Sequence, residues 1–210
     1  VWLPASILAL ERLARSPGPL RAALAALALA TAFLAGHPET FLYVAATAAG
    51  WAAFRLLRPP DGEAGAVPRV SFAAWAAAAF AAVPFLVAVQ LVPFLEWMGQ
   101  LSRGLDAVWA WRAPWTALVT LVSRDARSTP SALGIEVPEW SAYAGAVSLA
   151  LAPFAFLSRR RVEALFFFGV SSVVVLVLYG NGPLSSLARS LPLLRSLPQA
   201  RLLLLVSFSL

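Results

Sequence analysis

The chain has 210 residues, 60% of them hydrophobic and 12% charged, with a mean hydropathy of +0.79; a soluble domain carries about 25% charged residues, so an ordinary globular domain is excluded. There is no cysteine and a single histidine, which excludes disulfides, thiolate metal sites and multi-histidine metal sites. The positive side of the +6 net charge is arginine alone, since lysine is absent, and in so apolar a chain it marks membrane orientation rather than nucleic-acid binding.

Residues 1–10 are apolar, with Pro4 suited to a first helical turn. They are too few to cross a bilayer, and are expected to complete a helix begun upstream or to lie at the interface. The opening lacks the charged start and small-residue cleavage pattern of a signal peptide. Residue 1 is valine and residue 210 falls inside an apolar run, so the sequence reads as an internal piece of a longer protein.

Arg12, Arg15 and Arg21 follow, and then 33 residues, 22–54, in which only His37 and Glu39 can ionise near neutral pH. Two crossings need about 20 apolar residues each, so this stretch predicts a short helical hairpin with arms at 22–35 and 41–54. Its tip, Gly36-His37-Pro38-Glu39-Thr40, is expected to be non-helical and recessed. Irregular backbone at that depth is tolerated where it lines a watery cavity or is buried in protein, and ionisable residues there are functional candidates. The other reading is that His37 and Glu39 only cap helix ends, as an acid does near an N-terminus.

Arg55, Arg58, the Pro-Pro-Asp-Gly at 59–62 and Arg69 predict a short polar loop. Residues 70–95 carry no charge and predict one tilted span kinked at Pro84 and Pro93. Residues 96–140 form the longest polar segment, holding five acids (Glu96, Asp106, Asp125, Glu136, Glu139), four arginines and five of the eight tryptophans. Within it, 105–122 predicts an interfacial helix, because Trp109, Trp111 and Trp115 favour the headgroup level. These indoles also suit stacking on sugar C–H faces, and the acids suit hydroxyl binding, general-base work or metal ligation; an aromatic belt is the plain alternative.

Residues 141–158 and 164–179 predict two crossings joined at Arg159-Arg160-Arg161, residues 181–201 a loop, and 202–210 the start of a further crossing. Nine arginines in short loops (12–21, 55–69, 159–161) then share one side, which the positive-inside rule makes cytoplasmic. The hairpin tip, the Trp-rich loop and 181–201 face the other side. There Arg189, Arg195 and Arg201 recur every six residues, against the orientation rule. Guanidinium forks bind phosphate bidentately, and a lipid-linked phosphate arrives at that depth; snorkelling at a helix end is the other reading. No Walker motif, GxGxxG, HExxH or GxSxG is present, so ATP-driven transport and zinc proteolysis have no support.

Several local patterns occur together in order: WLP at 2–4, ALERL at 9–13, LAGHPETFLY at 34–43, QLVPFLE at 90–96 leading to LSRG at 101–104, SAYAG at 141–145, and the closing Pro/Arg-rich loop. In this they resemble the bacterial YfhO-like membrane proteins, which are similar to the GT-C class of lipid-dependent glycosyltransferases. The likeness covers nearly all of the chain and is most specific at the hairpin; in the closing loop Pro198 and Arg201 depart from its spacing. It implies an all-α polytopic transmembrane helical bundle in the bacterial cytoplasmic (inner) membrane, with residues 96–140 as an extracytoplasmic loop of the one domain 1–210. It further implies an enzyme that takes a sugar from a polyprenyl-phosphate donor and passes it to an envelope polymer or glycan acceptor. Its catalytic acid is expected in the first outer loop, upstream of residue 1. On this reading the substrate-binding residues are His37, Glu39, Glu96, Trp109, Trp111, Trp115, Arg189, Arg195 and Arg201. No cofactor and no metal is expected in these residues, the divalent-metal requirement of the whole protein is open, and the partners are the lipid bilayer, the lipid-linked sugar and the acceptor, with no nucleic acid. The rival is a transporter or flippase for a lipid-linked or polymeric envelope component, using the same groups without chemistry; a weaker third is a scaffold subunit.

Overall fold

Apolar side chains at helical spacing govern the first hundred residues. The computed structural model describes residues 2–36, 38–60, 69–100, 118, 121–122, 144–179, 182–190 and 202–209. It divides into two compact units, Val1–Arg103 and Gly104–Leu210. Among the described residues the regular structure is entirely helical, and three helices are long and apolar enough to cross a membrane. This is the architecture of a membrane protein.

In the first unit, α1 (Trp2–Arg15) buries Leu3, Ser6, Ile7, Leu10, Leu13 and Ala14, positions that fall on one face at the 3.6-residue period. Ser6 tolerates full burial because its hydroxyl donates to the Trp2 carbonyl at 3.0 Å. The helix runs five residues beyond the apolar stretch, so Arg12 and Arg15 belong to its last turn, where cations favour the helix C-terminus. Next, α2 (Pro19–Leu34) begins on a proline, whose missing N–H is no loss there, and turns Ala22, Ala25, Ala26, Leu29, Ala30 and Phe33 inward. The small alanines let backbones approach closely, and α2 packs on both α1 and α4.

The hairpin is real, but its tip is shorter than expected. Gly36 adopts φ +97°, a left-handed conformation that a Cβ disfavours, and the chain re-enters a helix at once: α3 spans Pro38–Leu57. Pro38 starts the second arm rather than stopping the first, and Glu39 and Thr40 lie in its first turn. The arms also differ. At 1.5 Å per residue, α2 with 16 residues reaches about 24 Å, whereas α3 with 20 reaches about 30 Å, the thickness of the hydrocarbon core. The stretch 40–57 is one of the three candidate spans.

Residues 70–95, expected as a single span, form two helices. α4 (Arg69–Leu86) is a candidate span and buries Phe72, Ala76, Ala79 and Val83 in one stripe. After the turn at Val87 comes α5 (Ala88–Gln100). Pro84 and Pro93 sit inside these helices, each removing one backbone donor, and the interruption falls between them. Val87 is fully used at the break: its N–H donates to Val83, and its carbonyl accepts from Gln90 at 2.9 Å and Leu91 at 2.8 Å. Residues 96–100, expected to open the polar loop, are therefore the last turns of α5.

In the second unit, 141–158 does not give a full crossing. Gly145 (φ +88°) precedes α6 (Ala146–Leu151), which tightens into a 3-10 helix at Ala152–Leu157. Pro153 opens that tighter helix, since it has no N–H for the α-helical bond to residue 149. Together the two pieces rise about 20 Å, short of a hydrocarbon core. Ser158 turns the chain: its hydroxyl donates to the Ala155 carbonyl at 2.7 Å and accepts from the Arg160 N–H at 3.1 Å. The third candidate span follows as α7 (Arg161–Tyr179), with Glu163 in its first turn. Residues 183–190, expected as loop, form α8 (Pro183–Ser190), again begun by proline. α9 (Leu203–Ser209) packs on α7 and buries Leu203, Leu205 and Val206.

Candidate functional site

The best-defined polar arrangement among the described residues lies where α1 and α3 meet. Glu11, on α1, accepts four hydrogen bonds from two guanidiniums. Arg55 Nε donates to Oε2 at 2.7 Å and Arg55 Nη2 to Oε1 at 3.2 Å. Arg15 Nε and Nη2 reach Oε1 at 3.2 and 3.1 Å. The two arginines are not equivalent. Arg55 is 7% exposed and Glu11 14%, whereas Arg15 is 54% exposed. Arg55 thus contributes the interior half of the clamp, and its guanidinium carbon lies 4.6 Å from the ring centre of Trp51 and 5.3 Å from that of Phe54.

Sequence dictates this geometry locally. Glu11 and Arg15 are four residues apart on α1, in the favourable acid-before-base order. Trp51 and Arg55 are four apart on α3, so the indole face lies under the guanidinium. The tie between α1 and α3 gathers Arg12 and Arg15 at the end of one helix with Arg55 and Arg58 at the end of the other. Arg21 at the start of α2 joins them by donating to the Ser16 carbonyl at 2.6 Å. Of the arginines expected on one side, those of 12–21 and Arg55 and Arg58 thus gather in this unit, with Glu11 as their counter-charge. Both oxygens of the carboxylate are engaged by guanidinium donors, three bonds falling on Oε1 and one on Oε2, so the geometry of Glu11 here is that of a clamp.

The residues selected from the sequence fare differently. Glu96 is exposed on α5. Glu39 stands in the first turn of α3 and Arg189 in the last turn of α8, by backbone position; their side chains lie outside what is described. His37, Trp109, Trp111, Trp115, Arg195 and Arg201 lie outside the described residues, as does the body of the expected interfacial helix at 105–122. Backbone placement puts Glu39 where an acid complements the helix dipole, the plainer of its two readings. Among the described residues there is no group of three or more His, Asp or Glu side chains able to hold a metal.

Sequence reasoning missed Glu11 and treated Arg55 only as a topological marker. The signal was present: Arg55 closes a 33-residue stretch as its first arginine and stands four residues after Trp51, a spacing that draws the guanidinium back over an aromatic ring instead of out to solvent. No family model, no curated protein and no solved structure matches the chain.

Proposed function

We propose that the chain belongs to a bacterial inner-membrane enzyme of the GT-C type, which transfers a sugar from a polyprenyl-phosphate donor to an envelope acceptor on the outer face. The ordered resemblance to YfhO-like proteins carries this reading. Its support in the architecture is regular structure that is entirely helical among the described residues, with three helices of spanning length and apolarity there. Arg189, Arg195 and Arg201 hold the donor phosphate in the proposal, with Arg189 at the end of the short helix α8 just after the α7 span. His37, Glu39, Glu96 and the three tryptophans contact sugar or acceptor, and a carboxylate elsewhere in the protein deprotonates the acceptor hydroxyl.

The test is reconstitution of the protein, at the full length of its reading frame, with radiolabelled polyprenyl-phosphate sugar in proteoliposomes. Appearance of label on an envelope acceptor is the expected result. Label moved across the bilayer on intact donor would replace the enzyme with the transporter reading. Arg189→Lys and Arg195→Lys should each lower donor use about tenfold or more, because the charge survives while the bidentate fork is lost. Unchanged donor affinity in both variants would overturn the phosphate assignment.

A further inference from the structure

A cleft of about 280 Å³ lies within the second unit, walled by the 3-10 helix, α7 and α9. One face of α7 supplies most of it. Arg160, just before the helix, is followed by Glu163, Ala164, Phe167, Phe168 and Ser171, at intervals of three and four that keep them in a single stripe. Two aromatic contacts frame the stripe. Phe168 meets Phe156 of the 3-10 helix edge-to-face at 5.6 Å, and Phe167 meets Phe208 of α9 in the same manner at 5.6 Å. Phe156 and Phe168 remain partly open, at 36% and 57% exposure, so the aromatic wall is incomplete on that side.

Two hydroxyls in this wall have no partner. Ser171, 8% exposed, and Ser209 both line the cleft with Oγ atoms that are buried and make no hydrogen bond. Several other hydroxyls on helices behave differently: Ser6, Thr31, Thr47 and Ser207 each donate to a carbonyl one turn back. A buried polar group without a partner is unfavourable, which sets this cleft apart from a closed, fully paired helix contact. At the other end of the stripe the charge is positive. Among the described residues at this end, Arg159, Arg160 and Arg161 outnumber the one acid, Glu163.

We infer that this cleft binds a single anionic membrane lipid. Its headgroup lies at Arg160, and its apolar chain runs along Phe156, Phe167 and Phe168 towards Ser171. Charge complementarity selects the class of occupant. A neutral hydrocarbon leaves the arginines unused, and a free anion leaves the phenylalanines unused. The position on α7 agrees, since the start of a 19-residue apolar span falls at headgroup level, where anionic lipids attract arginine. The inference concerns residues outside the proposed donor site and does not depend on glycosyl transfer.

The test places the full chain in phosphatidylcholine nanodiscs with a trace of a lipid carrying a photoreactive acyl chain, either phosphatidylglycerol or phosphatidylcholine. Labelled tryptic peptides are then quantified. Phosphatidylglycerol should label residues 162–189, centred on Phe167–Ser171, about fivefold more than phosphatidylcholine does, the preference that one arginine confers near an anionic surface. Arg160→Ala should bring that ratio to about one, and Arg160→Lys should keep it. Ala164→Phe, which fills the cleft without changing charge, should remove the label from this peptide while the protein stays monodisperse. Equal labelling by the two lipids overturns the inference. So does full anionic preference in Ala164→Phe, which would mean attraction to surface arginines with no lipid in the cleft.

Discussion

The two units solve the same problem in opposite ways. Each must keep polar atoms inside a largely apolar helical structure. In the first, the charged and hydroxyl groups named above are matched: Glu11 by two arginines, Ser6 and Thr47 by carbonyls of their own helices, and alanine stripes close the remaining space. In the second, Ser171 and Ser209 are buried and unmatched beside an open cleft. Interiors closed by paired polar groups resist substitution at those groups, while an interior that leaves them unpaired tolerates it.

Breaking the clamp should have the largest effect. Glu11→Leu leaves Arg55 buried without a counter-ion and should destabilise the first unit by about 3–5 kcal/mol, read as a fall in the unfolding midpoint in detergent. Replacing both partners, Glu11→Leu with Arg55→Leu, should recover most of that loss; a double variant as unstable as the single one would remove the ion pair as the cause. Gly36→Ala comes next, at about 1–2 kcal/mol. Nothing lies within 4 Å of the added Cβ, so the whole cost is the left-handed φ, and Gly36→Asn should restore part of it. In the second unit Ser171→Ala should change stability by less than about 1 kcal/mol, and in the stabilising direction, since no hydrogen bond is lost. A loss comparable to that of Glu11→Leu would erase the distinction between the units. The smallest effect expected is for Glu39→Gln, roughly 0.3–1 kcal/mol, the worth of a charge in the first turn of a helix.

Much of the helical architecture was legible because α2, α3, α4 and α7 are carried by long uncharged runs, and hydrophobicity at that length leaves little choice. Prolines misled the reading of boundaries. Pro38 lies in the tip expected to be non-helical and Pro183 in the expected loop 181–201, yet each occupies the first residue of a helix, where a fixed φ is an advantage. Pro153 misled in the other direction, because apolarity alone made 141–158 look like a crossing while its missing N–H shortens the α-helix to Ala146–Leu151. The Glu11–Arg55 pair was illegible for a different reason. Its partners are 44 positions apart, and only the packing of α1 on α3 brings them together, which no local pattern encodes.

That separation has a consequence for biogenesis. A chain is synthesised from its N-terminus, so Glu11 emerges with Arg15 in reach while Arg55 is still unmade. The clamp closes only after the whole of the α2–α3 hairpin has been delivered, and until then α1 has no fixed seat against α3. The first three helices therefore become one object only once residue 55 has left the ribosome, and a nascent chain halted with residue 55 still enclosed should remain open to quality-control proteases that ignore a chain halted after it has emerged.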